Sequence, residues 1–483
     1  MLFLAPVTVI EQYGVTWTLS EPAEAGQYVT GDWWVVGPVE IESVTPAPTG
    51  TRNGSTVNPR GGRQGYDDRG GEFDTADNVT FPRTFAAGES LVSSVSQPED
   101  VTEVRNVGAL VSQAVLTVVA SPRPAGAFRP SYAGTYKAEL DASAIRWDQL
   151  ATLPAPGGGG PDMDDLLHMA DRPRIDHLSS WTIQDSCAHD NWYNGEGQHA
   201  CYGREVGTFV SEAALAVFLD TPQREELVRS MIQHGIDNYG VVRAGGTWLG
   251  NGGHHNGRKW PIVFAARLLG DCDMLAVGAD YDDSTFGEDS QTYAGVGGTA
   301  RFGWDCGGGQ GSFFEDGCTG GGAQDCRDPA GLQDGCPPYR DCCTSAYWVG
   351  EALSALMLDG KRTWNHDPFF DYVDRWMAGD VGDTSGASSS FVEAMWAAHR
   401  TSLPTLPATS DCGAVPTPDA GGPGPGGPDG GSGADGGGAG ADGGGGCGCT
   451  VGGGSHTPRS AGALAGLFAI LIVAGARRAR RRR

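Results

Sequence analysis

The sequence predicts a multidomain protein of mixed α and β structure, in which a β-sandwich precedes an α/α-toroid-like helical domain. Before residue 120, short β-rich runs are broken by Gly, Pro, Asn and Asp, which is typical of a sandwich. After residue 160, apolar residues recur at the spacing of three and four residues that marks helices. Beyond residue 406 the chain consists largely of Gly, Pro, Asp and Ala, a composition that cannot bury a core.

The first predicted domain spans residues 1–125 and is defined by alternating apolar and polar residues. Residues 15–19 alternate, residues 33–36 form a short apolar run, and residues 114–119 form a later buried strand. The polar stretch 52–78 is rich in Gly, Asn and Asp, and we expect it to be a long loop at one edge of the sandwich.

The second predicted domain spans residues 161–405, after a linker at 126–160 that is rich in proline and glycine. Its helices are expected to recur in hairpin pairs without intervening strands, as in an α/α-toroid. The sequence indicates about eight or nine helices, fewer than a ring of six hairpins requires. The best-defined apolar faces lie at residues 206–217, 227–236, 262–269, 349–357, 370–377 and 392–399.

Charge and cysteine content restrict the class of protein. The formal net charge of −26 argues against a nucleic-acid partner, because a phosphate-binding surface needs patches of Lys and Arg. None of the 12 cysteines precedes Cys187, and six fall within a glycine-rich insert at 306–343. This clustering favours disulfide bonds formed in an oxidising compartment; a zinc cluster is the alternative interpretation. No cofactor is predicted.

The C-terminal tail has four parts in a fixed order. A spacer at 406–459 contains Cys447 and Cys449, and residues 460–483 hold an apolar stretch followed by an arginine cluster. The 16 apolar residues at 461–476 would extend about 24 Å as a helix, slightly less than a bilayer core. The arginines would keep the C-terminus in the cytoplasm and leave the rest of the chain outside.

This tail resembles the MYXO-CTERM sorting tail of myxobacterial surface proteins, over about the last 40 residues. The resemblance implies cleavage by a sorting protease near Cys447 or Cys449 and retention at the cell surface, after transient anchoring by the C-terminal helix. A disulfide bond between the two cysteines is the alternative, and it would leave neither of them for modification.

Reactive side chains are concentrated between residues 189 and 259. We expect Tyr202 to act as base and acid in β-elimination on an acidic polysaccharide, with His254 or His255 as its partner. Arg258 and Asn191 would hold and neutralise the acidic group of the sugar. Two adjacent histidines on a glycine-rich loop are hard to explain by packing alone, because both are not expected to face the core.

Five further side chains are candidates for binding the substrate: Arg204, Trp248, Lys259, Glu288 and Asp289. Arg204 follows Tyr202 within the sequence YGRE, Lys259 follows the histidine loop, and Trp248 would form a platform on which a sugar ring stacks. A purely structural interpretation of Tyr202 and Arg204, as a cap and a pair within the helices, is equally compatible with the sequence.

A second enzyme hypothesis rests on Glu288 and Asp289, two adjacent carboxylates on a later loop. Inverting glycoside hydrolases on α/α-barrels use one carboxyl group as acid and another as base. Either residue would pair with Glu196, Glu205 or Asp237. A structural role, including a structural calcium site, is the alternative use of these acids.

The motifs YGRE, GGHxxGRKxP, EDxQT and WNHxxFFDYVDR make the body of the chain similar to uncharacterised secreted bacterial proteins, some of which carry a β-domain followed by helices. Polysaccharide lyases with α/α-toroids are the nearest characterised analogy, and the analogy rests on architecture rather than on a matched motif. Neither GxSxG nor HExxH occurs, which argues against serine hydrolases and zincins. A non-catalytic adhesin or glycan-binding protein is the remaining hypothesis.

Overall fold

The computed structural model describes residues 6–102, 104, 108–157, 159–178, 188, 202–250, 253–294, 298–305, 312–314, 343–380, 385–408 and 412. All of them belong to one compact unit that spans residues 1–417. Asn191, the spacer, Cys447, Cys449 and the predicted transmembrane segment at 460–483 lie outside the described residues. Within the described ranges, no helix is long and apolar enough to cross a membrane.

The structure is mixed α and β, as predicted, and its N-terminal part is rich in sheet. Its strands are β1 (Val7–Gln12), β2 (Val15–Ala23), β3 (Ala25–Gln27), β4 (Trp33–Val36), β5 (Val39–Thr45), β6 (Ser55–Val57), β7 (Arg83–Phe85), β8 (Ser90–Ser96), β9 (Leu110–Val119), β10 (Thr292–Ala294), β11 (Ala300–Asp305) and β12 (Ser312–Phe314).

The helices follow the sheet-rich part, and the described residues contain eleven of them. They are α1 (Met163–Ala170), α2 (Gly203–Ala216), α3 (Arg224–Arg243), α4 (Lys259–Leu269), α5 (Cys272–Leu275), α6 (Val277–Asp280), α7 (Gly287–Ser290), α8 (Ser345–Met357), α9 (Lys361–Trp364), α10 (Asp367–Ala378) and α11 (Ser390–His399).

Two sheets form the N-terminal part. The first has strand order β1-β2-β5-β7, and the second has order β3-β4-β9-β8-β6 with β4 parallel to β9. Alternation in β2 buries Val15, Trp17 and Leu19 while the residues between them are partly exposed, because successive side chains of a strand point to opposite faces. Trp17 and Leu116, from different sheets, belong to one apolar cluster.

The polar stretch predicted as an edge loop lies at residues 52–78 and contains only one short strand, β6. This strand is the edge of the five-stranded sheet. Turns within the stretch are held by Gln64, whose Oε1 accepts hydrogen bonds from the backbone N–H groups of Tyr66 and Asp67 at 2.6 and 3.1 Å. These bonds satisfy backbone groups that no strand partner reaches.

The helices pack on the other side of the five-stranded sheet. Val92 of β8 and Val115 of β9 belong to the same large core cluster as the helical residues. Helix α2 packs against α8, and α3 packs against α4. Gly350 makes the first contact close, since a Cβ atom there would lie 2.1 Å from the carbonyl oxygen of Ser211.

The expectation of helices without intervening strands is wrong for residues 292–314. Strands β10, β11 and β12 form a small antiparallel sheet between the helices. Glycines between residues 294 and 300 interrupt helical periodicity and leave short runs that pair with each other instead.

One disulfide bond ties the end of the folded unit to the helices. Cys272, the first residue of α5, is bonded to Cys412 across 140 residues of sequence, with a Cα–Cα distance of 5.6 Å. Cys343 is disulfide-bonded as well; the other cysteines of the insert at 306–343 lie outside the described residues.

Candidate functional site

The start of α2 and the loop at residues 253–258 (below, the histidine loop) meet in direct contact. A Cβ atom on Gly203 would lie 1.9 Å from the carbonyl oxygen of Gly253 and 2.3 Å from the carbonyl carbon of His254. Only glycine therefore permits this approach, which explains the glycine in the YGRE motif. Tyr202 occupies the position before the helix with extended backbone angles, φ −66° and ψ 137°.

Tyr202 and His254 lie against each other in this contact. Their ring centroids are 4.8 Å apart, and the ring planes are nearly perpendicular at 89°. Both side chains are partly buried. The guanidinium carbon of Arg204 lies 5.7 Å from the Tyr202 ring centroid, and its Nε donates a 2.7 Å hydrogen bond to Oε1 of Glu205. The structure thus brings three predicted site residues together.

The two histidines of the loop have different surroundings. His255 is buried, and its Nδ1 lies 2.5 Å from the carbonyl oxygen of Leu249. The next residue, Asn256, is also buried; its Nδ2 donates to the carbonyl oxygen of Cys343 at 2.6 Å, and its Oδ1 accepts from the indole of Trp348 at 3.1 Å. Hydrogen bonds to buried groups therefore hold the loop at His255 and Asn256. His254 is the histidine that contacts Tyr202.

Arg258 lies in the interior, with 1% of its side chain exposed. Its Nε donates to Oδ2 of Asp176 at 2.9 Å, and its Nη1 donates to the carbonyl oxygen of Asn256. Burial alone would raise the pKa of Asp176, but the charges of Arg258 and Arg174 outweigh it and hold that pKa below its usual value. The backbone carbonyl of Asp176 also accepts the indole N–H of Trp248 at 3.1 Å.

Trp248 and Lys259 are buried as well. Trp248 stacks on Phe286 with ring centroids 6.2 Å apart, so its faces are covered by the protein's own side chains. The ammonium group of Lys259 pairs with Oδ2 of Asp289 and donates to the carbonyl oxygen of Trp364 at 2.6 Å. The indole of Trp364 donates to Oδ1 of Asp289 at 2.7 Å. In this conformation neither predicted binding residue faces solvent.

Glu288 is hydrogen-bonded to the histidine loop on its buried side. Its Oε1 accepts the backbone N–H of Gly257 at 2.6 Å, and Gly257 has a positive φ of 82° that favours glycine. Burial raises the pKa of Glu288 to about 7. Glu351, on α8, is buried as well, and burial together with the charge of Glu288 raises its pKa well above the usual range, while Arg258 acts in the opposite direction.

Sequence reasoning missed three residues of this arrangement: Asp176, Asn256 and Glu351. A signal for Glu351 existed, because it lies three residues after Trp348 and four before Ala355 on the buried face of an apolar helix. Among the residues that can be placed, no group of three or more His, Cys, Asp or Glu is arranged to hold a metal ion.

The geometry therefore separates two kinds of predicted site residue. Tyr202, His254 and Arg204 form a partly exposed group, whereas His255, Trp248, Arg258, Lys259, Glu288 and Asp289 are buried next to it. Glu205 is bonded to Arg204 in the partly exposed group, and Asp237 is paired with Arg129 elsewhere in the interior. No protein-family model, curated protein or solved structure matches this chain.

Proposed function

We propose that this chain is an exported enzyme that cleaves an acidic polysaccharide by β-elimination, with Tyr202 and His254 as its acid–base pair. The supporting observation is the edge-to-face contact of the two rings, whose centroids are 4.8 Å apart. General acid–base catalysis requires two proton-exchanging groups at a position that a substrate can reach. Both side chains keep part of their surface exposed.

The reaction assigns a distinct task to each group. His254 takes the phenolic proton of Tyr202, and the resulting phenolate removes the proton from the carbon next to the uronate carboxylate. The bond between the adjacent carbon and the glycosidic oxygen then breaks, and a double bond forms between the two carbons. The protonated His254 donates its proton to the leaving oxygen, which departs as a hydroxyl group, and both side chains are then back in their starting forms. Positioned acid–base groups of this kind contribute about 100-fold to 10,000-fold to a rate.

The substrate carboxylate also needs a positive partner, because removal of the neighbouring proton increases its negative charge. Arg258 is committed to Asp176 in the interior, so we assign this task to Arg204, whose side chain is 36% exposed. Arg204 would exchange its bond to Glu205 for one to the substrate. Asn191 remains a predicted partner outside the described residues.

The architecture that we propose for this enzyme is a β-sandwich followed by a toroid-like ring of helices. Support comes from the apolar cluster shared by the two sheets and from the packing of α2 on α8 and α3 on α4. The disulfide bond between Cys272 and Cys412 supports folding in an oxidising compartment. We further propose that a sorting protease acts near Cys447 or Cys449, and that a helix within residues 460–483 anchors the chain in the membrane beforehand.

A glycoside hydrolase is the second candidate, and one observation favours it. The pKa of Glu288 is raised to about 7 by burial, as a general acid requires near neutral pH. Of the carboxyl groups proposed to pair with it, Glu196 lies outside the described residues, Glu205 is bonded to Arg204, and Asp237 is bonded to Arg129. A hydrolase on this site would need the buried carboxyl groups to become accessible to substrate.

The experiment is a screen of the full chain against acidic and neutral polysaccharides, following ultraviolet absorbance and reducing ends in parallel. β-Elimination yields unsaturated, absorbing ends, whereas hydrolysis yields reducing ends alone. We expect Tyr202→Phe and His254→Ala each to lower kcat at least 100-fold, since each removes one proton-exchanging group. Tyr281→Phe, which removes a phenol elsewhere among the helices, is the matched control and should keep full activity.

Three results would contradict the proposal. Reducing ends without new absorbance would favour the hydrolase, and retention of polysaccharide without turnover, unchanged in both variants, would favour a non-catalytic surface protein. Equal activity of Tyr202→Phe and the unaltered enzyme would exclude Tyr202 from the chemistry.

A further inference from the structure

A pair of fully buried carboxyl groups lies beneath the histidine loop. Glu288 on α7 and Glu351 on α8 have no exposed surface. Oε2 of Glu288, both carboxyl oxygens of Glu351 and Nη2 of Arg258 are buried without a hydrogen-bond partner among the described residues. Such atoms are rare in folded proteins, because burying a polar group without a partner costs about 1–3 kcal/mol.

The charges around this pair do not balance if both carboxyl groups are ionised. Asp289 is neutralised by Lys259, and Arg258 is already paired with Asp176. The charges of Asp289 and Arg258 act on Glu288, and those of Glu288 and Arg258 act on Glu351. One guanidinium that is already paired with Asp176 cannot neutralise two further buried carboxylates. Protonation of one of them removes the excess negative charge at the lowest cost in free energy.

One of the two carboxyl groups is also attached to the proposed site. Oε1 of Glu288 accepts the backbone N–H of Gly257, three residues after His254. Helix α7 touches the same loop a second time, since a Cβ atom on Gly287 would lie 3.1 Å from the carbonyl oxygen of His255. A displacement of Glu288 therefore moves the loop that carries His254.

We propose that Glu288 is a positioning residue for His254, and that it holds the histidine loop in place only while it shares one proton with Glu351. In this state the protonated carboxyl of Glu351 donates to Oε2 of Glu288, and Oε1 remains bonded to Gly257. Loss of the proton places two negative charges side by side and pushes α7 away from α8. The consequence for turnover rests on the proposed function, whereas the proton site and the loop position do not.

Stability gives a readout that needs no substrate. The pKa of Glu288 is raised from 4.5 to about 7 in the folded chain, so the folded state holds a proton that the unfolded state has released in this interval. The free energy of unfolding should therefore fall as pH rises from about 4.5 through about 7, and it should continue to fall above pH 7 until Glu351, whose pKa is also raised well above its usual range, has released its proton. In the same interval the infrared carbonyl stretch of a protonated carboxyl group should persist in the folded chain.

Glu351→Gln tests the shared proton in the full chain. The amide has the size of the carboxyl group and donates permanently to Glu288, so we expect the infrared band at neutral pH to disappear and the decrease in stability to flatten. Glu393→Gln, which alters an exposed glutamate on α11, should change neither. Persistence of both the band and the slope in Glu351→Gln would overturn the proposal.

The positioning role is tested at His254 itself. In a chain labelled with ¹³C-histidine, the signal that His254→Ala removes identifies this side chain. We expect Glu288→Ala to shift that signal and Glu288→Gln to restore it, because glutamine still accepts the N–H of Gly257. An unchanged signal in Glu288→Ala would exclude the positioning role. If these shifts occur and no polysaccharide is cleaved, the positioning role stands and the lyase proposal fails.

Discussion

The two buried regions of this molecule differ in the kind of side chain that forms them. Between the two sheets the core is apolar, and Trp17, the largest side chain in it, satisfies its indole N–H with a 3.0 Å bond to Oγ of Ser93. Beneath the histidine loop the interior holds a network of ionisable side chains, all of them buried: Asp176, Arg258, Lys259, Glu288, Asp289 and Glu351.

This difference indicates which buried region has a role besides stabilising the fold. Apolar burial contributes about 25 cal/mol per Å², whereas a buried ion pair is often no more stabilising than apolar residues of the same volume. A charged interior is therefore expected where groups must be held in fixed positions, and clusters of shifted pKa values are typical of functional sites. The apolar interior supports the fold, and the charged interior supports the site.

The largest loss of stability is expected when a charge is removed from the charged interior. Lys259→Ala leaves Asp289 buried beside an indole donor but without its cation, and we expect the free energy of unfolding in urea to fall by about 3–5 kcal/mol. The control is Lys361→Ala, which removes an ion pair with Asp367 that is largely exposed and should cost at most about 1 kcal/mol. Equal costs for the two lysines would contradict the comparison.

The apolar interior should respond differently to pH. Leu116→Ala creates a cavity between the sheets and should cost about 2–5 kcal/mol. Because the buried side chains of this cluster are hydrophobic, we expect the same cost in urea unfolding at about pH 5 and at about pH 8. A cost that changes by more than about 1 kcal/mol between these conditions would show that the two interiors are coupled.

The next largest effect is expected at the contact between α2 and the histidine loop. Gly203→Ala places a methyl group 1.9 Å from the carbonyl oxygen of Gly253, which forces the two segments apart at about 1–3 kcal/mol. Turnover should decrease much more than stability, because Tyr202 and His254 separate. Gly157→Ala, where a Cβ atom has no neighbour within 4 Å, is the control and should leave both unchanged.

The smallest effect on stability is expected at His366, at the edge of the charged interior. His366 donates from Nε2 to the carbonyl oxygen of Thr292 at 2.9 Å, and its Nδ1 lies 3.1 Å from Oδ1 of Asp283. Burial lowers the pKa of His366, but the bond to Asp283 outweighs it and the pKa is raised. The stabilisation is therefore present at acidic pH and is lost as pH rises through the raised pKa.

Asp283 is largely exposed, so Asp283→Asn should cost less than about 1 kcal/mol at about pH 5.5. This difference between Asp283→Asn and the unaltered protein should vanish at about pH 9 in urea unfolding curves. A cost that increases with pH would show that His366 is neutral in the fold and would remove it from the charged network.

Local patterns predicted the scaffold well. The apolar face at residues 206–217 predicted α2, and the tolerance of proline in a first turn placed Pro261 correctly near the start of α4. Alternation likewise predicted the burial of Val15, Trp17 and Leu19 in β2. These signals succeed because each depends on neighbours within a few residues.

The surroundings of the site residues could not be predicted from the sequence. Adjacent histidines look equivalent in the sequence, yet the packing of Asn256 against α8 turns His255 inward and leaves His254 at Tyr202. Glu288 and Glu351 are far apart in sequence, and only the tertiary fold brings both carboxyl groups to Arg258. Side-chain direction within a loop and long-range pairing both depend on distant partners that periodicity does not record.

The most direct test of the central claim is a double-mutant cycle on kcat with Tyr202→Phe, His254→Ala and the variant that carries both changes. If the two side chains exchange one proton as a unit, the double variant should be no slower than the slower single variant. Independent action would instead multiply the two losses, and that result would contradict the proposed acid–base pair.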